Sequence, residues 1–286
     1  KISELPNDAT YGGNTDNEYT QKFGKQQGKY YVPQRAAAGL DPWATPQAYD
    51  NAKDFFDTGI TWSNSLNVAQ MLDKSSYSIS LGNTHQDGII SSTGMDRYNV
   101  KVSADTKLTN NWSSGFTANY ITTSIDKAVT SGNGLLRTVY AAPPSYDLAG
   151  IPSHVDGNPY TQNSFRGSFD NAYWAMENNK FTEDTNRFFG NVYASYQTDF
   201  GTTNHKLNAK YMVGVDAYTT HYVDSYGYGS NTGGGRGQIE NYGWTNATYN
   251  SLLTINYDWH INEDWGLNAV VGNEIIQSNR KKYYEY

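Results

Sequence analysis

Apolar and polar residues alternate along most of this chain, and that alternation restricts the fold more than any other feature. In 98–105, for example, Tyr98, Val100 and Val102 are each followed by a polar residue. Successive side chains of a β-strand point to opposite faces, so each such run predicts a strand with one apolar and one polar face. The predicted strands are 60–72, 76–86, 96–108, 112–124, 187–199, 205–220, 242–259 and 265–278.

The composition agrees with an all-β chain. Among 286 residues there are 27 glycines and 25 tyrosines, a mixture that favours strands and turns over helical bundles. All eight prolines lie in 6–46 and 143–159, which are therefore predicted to be loops. One short helix is predicted at 46–56, with Thr45 as its cap and Pro46 at its first position.

Charge and residue counts also exclude several kinds of chemistry. The chain has no cysteine, which rules out disulfides and cysteine-based zinc sites, and its net charge of −7 argues against a nucleic-acid partner. The five histidines show no metal-ligand spacing, and no arrangement of Ser, His and Asp indicates catalysis. We therefore predict no catalytic site, no metal site, no cofactor and no enzyme activity.

The connections between the predicted strands alternate in length. The short ones are 73–75, 109–111, 200–204 and 260–264, and the long ones are 87–95, 125–186 and 221–241. Short turns on the periplasmic side and long loops outside are typical of outer-membrane β-barrels. Aromatic residues stand beside the short turns, where an interfacial girdle belongs, at Trp112, Phe200, Trp259 and Trp265.

Charges on the polar faces also favour a membrane barrel over a soluble sandwich. Lys101, Lys210 and Asp216 would be buried in a sandwich core, where an unpaired charge is costly, whereas a wet lumen accepts them. We therefore predict an all-β fold, an antiparallel transmembrane β-barrel segment of about eight strands with long outer loops.

The direction of the strands predicts how this segment is organised. With short turns in the periplasm, the first strand runs inward and the last runs outward, which indicates part of a larger barrel. Residues 1–59 are then an extracellular loop region with a short helix, 60–278 hold the barrel strands and loops, and 279–286 begin another outer loop.

Two other architectures fit the same alternation. A soluble secreted β-sandwich that binds or cleaves glycans predicts that the apolar faces meet each other and that charges such as Asp216 have buried partners. A small complete barrel of eight strands predicts that 60–72 pairs with 265–278.

Aromatic residues in the long loops are the predicted contact site for a substrate or for a covering partner protein. Tyr and Trp combine a flat ring with a polar tip, which suits sugars and peptides. The competing interpretation is that these rings pack the loops together. The six candidate aromatic residues are Tyr146, Tyr160, Phe165, Trp174, Tyr226 and Tyr228.

The glycine-rich segment 227–237 lacks the Gly-Lys-Ser/Thr ending of a phosphate loop and is predicted to be a mobile outer loop.

Several segments share a pattern of aromatic, Gly and Asn residues. They are DNAKDFFDTG at 50–59, SYSISLGNTHQDGII at 76–90, DRYNVKVSADTKLT at 96–109, NRFFGNVYASY at 186–196 and NEDWGLNAVVGNE at 262–274, with NPY at 158–160 inside the long loop. In this order and spacing, over 47–276, they resemble the barrel of SusC/RagA-type TonB-dependent outer-membrane transporters.

This resemblance implies a barrel of about 22 strands with a plugged lumen. It also implies a plug domain and a TonB box, neither of which is found in this sequence, and a SusD-like surface lipoprotein as the partner outside the cell. The implied function is a share in TonB-driven import of a bulky nutrient, an oligosaccharide or a peptide. The implied location is the bacterial outer membrane, with lipid around the barrel.

Overall fold

The computed structural model describes residues 29–128, 135–201 and 204–286, and an antiparallel sheet of eight strands dominates it. Two small strand pairs lie in the connections, β1 (Tyr30–Tyr31) with β2 (Trp43–Ala44) and β7 (His154–Val155) with β8 (Asn158–Gln162). The large sheet consists of β3 (Ile60–Met71), β4 (Ser75–Asp87), β5 (Gly94–Lys107), β6 (Trp112–Lys127), β9 (Lys180–Thr198), β10 (His205–Tyr228), β11 (Arg236–His260) and β12 (Gly266–Glu285). Each large strand pairs with the next large strand along the chain, which confirms the predicted antiparallel all-β fold.

The later strands are longer than the alternation indicates. β9 begins at Lys180, and β12 continues to Glu285, so that it includes 279–285, which the sequence interpretation assigned to a loop. β10 and β11 continue to a turn at 229–235, and the predicted long loop 221–241 is therefore mostly a hairpin. Polar and aromatic residues mix on both faces of this hairpin, so it lacks the pattern that marks the other strands.

The apolar side chains of the sheet share one face, which is open to the surroundings. Val100 lies between Leu81 on β4 and Tyr120 on β6, and all three side chains are exposed. Among the described residues no second sheet covers this face, so the sandwich alternative is wrong. The charge at Asp216 agrees, because its ion pair with Arg187 lies at the surface and not in a core.

β3 and β12 form the two edges of the sheet. The small complete barrel requires these two strands to pair, and in the part of the chain that the structure describes they lie at opposite ends of the strand order, so that alternative is also wrong. All 12 residues of β3 and all 20 residues of β12 are exposed. Open edges of this length invite further strand pairing, as we expect for a segment of a larger barrel.

Within 29–128, 135–201 and 204–286, four short α-helices lie in the connections, at α1 (Pro33–Ala37), α2 (Asn51–Phe55), α3 (Leu135–Ala141) and α4 (Ala172–Asn178). The predicted helix 46–56 is thus shorter than expected. Thr45 and Pro46 lie outside α2, and Asp50 caps it by accepting a hydrogen bond of 3.2 Å from the backbone N–H of Lys53. No helix in 29–128, 135–201 or 204–286 is long and apolar enough to cross a membrane.

The long connections at one end of the sheet fold around a buried apolar cluster, which we call the loop core. It consists of Tyr30, Val32, Phe55, Ile90, Leu135, Val139, Tyr146, Leu148, Ile151, Ala172, Trp174 and Ala175. Burying an apolar side chain stabilises a fold by about 1.5–3 kcal/mol, so these residues hold together segments that are distant in sequence. The described part of the predicted loop 125–186 is therefore folded onto the loop core and is not a structureless connection.

Candidate functional site on the polar face and outer loops

The middle of the polar face carries paired charges and aromatic rings. Arg187 donates two hydrogen bonds to Asp216, at 2.8 Å from Nε and 2.6 Å from Nη2. The Tyr193 hydroxyl donates to Asp105 at 2.6 Å, and the Lys210 ammonium lies 4.1 Å from the centre of the Tyr193 ring. Such charge-assisted pairs and cation–π contacts satisfy charges without removing them from water. The polar face of the sheet is therefore a solvent-accessible surface and not a buried core.

Stacked tyrosines occupy the same face nearer to the long loops. The rings of Tyr222 and Tyr242 lie 4.9 Å apart and nearly parallel, at 7°. The Lys127 ammonium lies 4.3 Å from the centre of the Tyr222 ring and pairs with Glu183 at 3.2 Å. These stacked tyrosines were not predicted from the sequence, because Tyr222 falls in 221–241, a segment interpreted as a loop.

Three of the six predicted contact residues belong to the interior of the loops. Trp174 is fully buried, and its indole N–H donates to the carbonyl of Pro159 at 2.8 Å. Tyr146 is also buried, and Phe165 packs against it with ring centres 5.5 Å apart. For these three residues the structure agrees with the interpretation that the rings pack the loops together.

The other three predicted residues lie on or beside β10. Tyr226 packs against Phe181 with ring centres 5.0 Å apart, so its ring is partly covered. Tyr160 and Tyr228 are 60% and 65% exposed, and their rings meet edge to face at 82° with centres 6.2 Å apart. Among the six candidates, these two form one exposed surface, which we call the tyrosine corner.

A buried carboxylate anchors the glycine-rich turn beside the tyrosine corner. Asp170 accepts hydrogen bonds from Gln162 Nε2 at 2.7 Å, from Ser230 Oγ at 2.6 Å, and from both the backbone N–H and the side-chain amide of Asn231 at 2.7 Å. Ser230 is fully buried. Ser230 and Asn231, which lie in the segment predicted to be a mobile loop, are therefore tied to Asp170 by hydrogen bonds.

Gly229 lets two backbone segments meet at the tyrosine corner. Its φ is +101°, a conformation that glycine adopts without strain. A Cβ atom at this position would lie 2.1 Å from the carbonyl oxygen of Tyr160, which is too close for any other residue. Gln162 Nε2 also donates to the Gly229 carbonyl at 2.9 Å. The turn at 229–235 is therefore in direct contact with β8, the strand that carries Tyr160.

Tyr173 on α4 is perturbed by its surroundings in the loops. Its ring packs at 5.3 Å from that of Phe55, and its hydroxyl donates to the Asp54 carbonyl at 3.3 Å. Burial raises the pKa of Tyr173, and the negative charges of Asp54 and Asp147 raise it further. The neutral phenol is favoured here, which suits a packing role.

The residues above can bind and orient a ligand through rings, hydroxyls and charges. In 29–128, 135–201 and 204–286, no three His, Asp or Glu side chains converge to hold a metal ion. The aromatic residues predicted beside the short turns are exposed, at Trp112, Phe200, Trp259 and Trp265. One face is therefore apolar and edged with aromatic rings, and the other is polar and charged.

These features define the chain as an antiparallel segment of a β-barrel wall. Solved structures of the RagAB peptide importer have the same fold. The chain is 16% identical to a structure of its closed-closed state and 15% identical to one of its open-open state, each with a TM-score of 0.68 over 100% of this chain. A third, of the RagAB peptide transporter, has 17% identity and a TM-score of 0.63 over 82% of this chain.

The chain spans about a third of the length of these neighbours, namely 31%, 30% and 27%. No protein-family model and no curated protein matches the sequence. The resemblance to RagA-type barrels that the sequence indicates is confirmed at the level of the fold.

Proposed function

We propose that this chain forms part of the wall and outer loops of a TonB-dependent outer-membrane importer for a bulky nutrient, a peptide or an oligosaccharide. The observation that carries the proposal is the division of one open sheet into an exposed apolar face and a charged polar face. That division suits a wall with lipid outside and water inside. The fold likeness to the RagAB peptide importer supports it.

The proposed partners follow from the same architecture. A SusD-like surface lipoprotein would cover the outer loops, and TonB would act through a plug that lies outside this chain. The polar face binds and passes on its ligand without changing it chemically, so we propose a transporter and not an enzyme. In this arrangement 29–59 and the loop core lie outside the cell, and the girdle residues such as Trp112 lie at the periplasmic interface.

Cysteine labelling of the intact protein in outer membranes tests the wall. Asn191 and Val192 are neighbours on β9 that point to opposite faces, and Val192 is exposed on the apolar face. We expect Asn191→Cys to react with a water-soluble maleimide and Val192→Cys to react only with a membrane-permeant one. The natural chain contributes no thiol, since it has no cysteine. Equal reaction of both positions with the water-soluble reagent would contradict the wall.

Uptake by whole cells tests transport separately. Cells producing the intact protein should accumulate fluorescent peptides or oligosaccharides of a size that general porins exclude. Uptake should stop when TonB is deleted, with the protein still present in the outer membrane. Uptake that continues unchanged without TonB would refute the proposed energy coupling.

A further inference from the structure

The tyrosine corner is an exposed aromatic surface on a rigid base. Both Tyr160 and Tyr228 leave most of their ring area open, although large aromatic side chains are usually covered. Their relative position is fixed by the close approach of Gly229 to Tyr160 and by the hydrogen bonds of Gln162. Holding two rings in one geometry before a ligand arrives reduces the entropy that binding costs.

Arg236 places a positive charge beside these rings. It pairs with Tyr228 in the register of β10 and β11, at the end of the hairpin next to the turn, so the two residues are direct neighbours across the strands. The Arg236 side chain is exposed, and within 29–128, 135–201 and 204–286 no acidic side chain forms an ion pair with it. A guanidinium presents a planar fork of donors that matches a carboxylate.

We propose that the tyrosine corner and Arg236 bind the carboxyl-terminal end of a peptide, an assignment that rests on the proposed import function. The guanidinium receives the terminal carboxylate, and the two rings contact the last side chain. A peptide is favoured over a neutral oligosaccharide because the exposed charge at this corner is the Arg236 cation, whereas the Asp170 carboxylate is buried and hydrogen-bonded, and every unmodified peptide carries a terminal carboxylate. A neutral sugar would use the rings and leave Arg236 without a function.

Binding of two matched peptides to the intact, detergent-purified protein tests this site. The probes are fluorescein-labelled decapeptides of Gly, Ala and Ser that end in Phe, one with a free carboxyl terminus and one with an amidated terminus. We expect the free form to bind roughly tenfold more tightly, the size of one charge-assisted hydrogen-bond pair. Arg236→Gln should abolish this difference by weakening only the free form.

Control variants separate the site from general effects of charge and aromatic content. Arg166→Gln removes another exposed arginine of the outer loops, which lies over Phe169, and should leave the preference for the free terminus intact. Tyr228→Ala should weaken both peptides alike, whereas Tyr140→Ala, which removes an exposed tyrosine of α3, should weaken neither.

Three results would overturn the proposal. They are equal affinity for the free and amidated peptides, a preference that survives Arg236→Gln, and tighter binding of an acidic oligosaccharide, such as a polygalacturonate fragment, than of either peptide. Failure here is distinguishable from failure of the import function, because TonB-dependent uptake and the labelling of β9 are measured without reference to this corner.

Discussion

A single arginine placed on either face of β5 measures which face meets lipid. Val102 lies on the apolar face between Ile79 of β4 and Ala118 of β6, near the middle of an apolar run. Ser103, the next residue, points to the polar face, where its hydroxyl lies 2.8 Å from that of Ser78. The two positions share strand, height and neighbouring strands, so the substitutions differ mainly in the face they alter.

The expected energies separate the two variants clearly. Arginine on the lipid face near the bilayer midplane costs about 2–4 kcal/mol. Ser103→Arg loses one neutral hydrogen bond, worth about 0.5–1.5 kcal/mol, and places its charge in water. We therefore expect Val102→Arg to be the more destabilising variant by about 0.5–3.5 kcal/mol, the difference between these two ranges.

Urea titration of the intact protein in lipid vesicles, followed by tryptophan fluorescence, measures this difference as a change in the free energy of unfolding. The m-value of the two variants should match, so that the midpoints compare directly. Equal destabilisation by both variants, or greater destabilisation by Ser103→Arg, would refute the assignment of the apolar face to lipid.

Three further predictions concern the loops. Asp170→Asn should weaken the hydrogen bonds that hold Ser230 and Asn231, at about 1.5–3 kcal/mol for bonds to a charged group, and hydrogen exchange of 229–235 should quicken while that of β5 stays unchanged. Trp174→Ala should cost about 3–5 kcal/mol by leaving a cavity in the loop core, seen as increased proteolysis of 135–178. Because the pKa of Tyr173 is raised, its neutral form stabilises the fold fully below the ordinary tyrosine value of about 10, and this contribution is lost as the pH rises through the raised pKa. Tyr173→Phe should therefore reduce the loss of stability measured between pH 9 and 12.

The sheet could be predicted from the sequence because its two faces meet different surroundings. Where apolar and polar positions alternate, as from Tyr98 to Val102, the pattern is visible in single residues. Towards the turn of the β10–β11 hairpin this alternation ends, so the stacked pair Tyr222 and Tyr242 could not be located from the sequence. The strand ends were misjudged for the same physical reason.

The loop site was less predictable, because tertiary contacts decide which rings are covered. Tyr146 and Tyr160 look equivalent in the sequence, yet one lies in the loop core and the other is exposed at the tyrosine corner. Asp170 is one of 28 acidic residues, and only the approach of Ser230 from a distant segment gives it a structural role. A contact between such distant segments leaves no periodic pattern in the sequence from which it could be predicted.

Because the strands differ in length, the outer rim of the proposed channel is higher on one side than on the other. β10 has 24 residues and spans about 80 Å, whereas β3 has 12 and spans about 40 Å. Through the register of the sheet, Ile60 at the outer end of β3 lines up with Val223, so the last five residues of β10 extend about 17 Å beyond it. A large cargo arriving from outside would thus meet a polar surface that is higher on the side of β10 and β11 than on the side of β3.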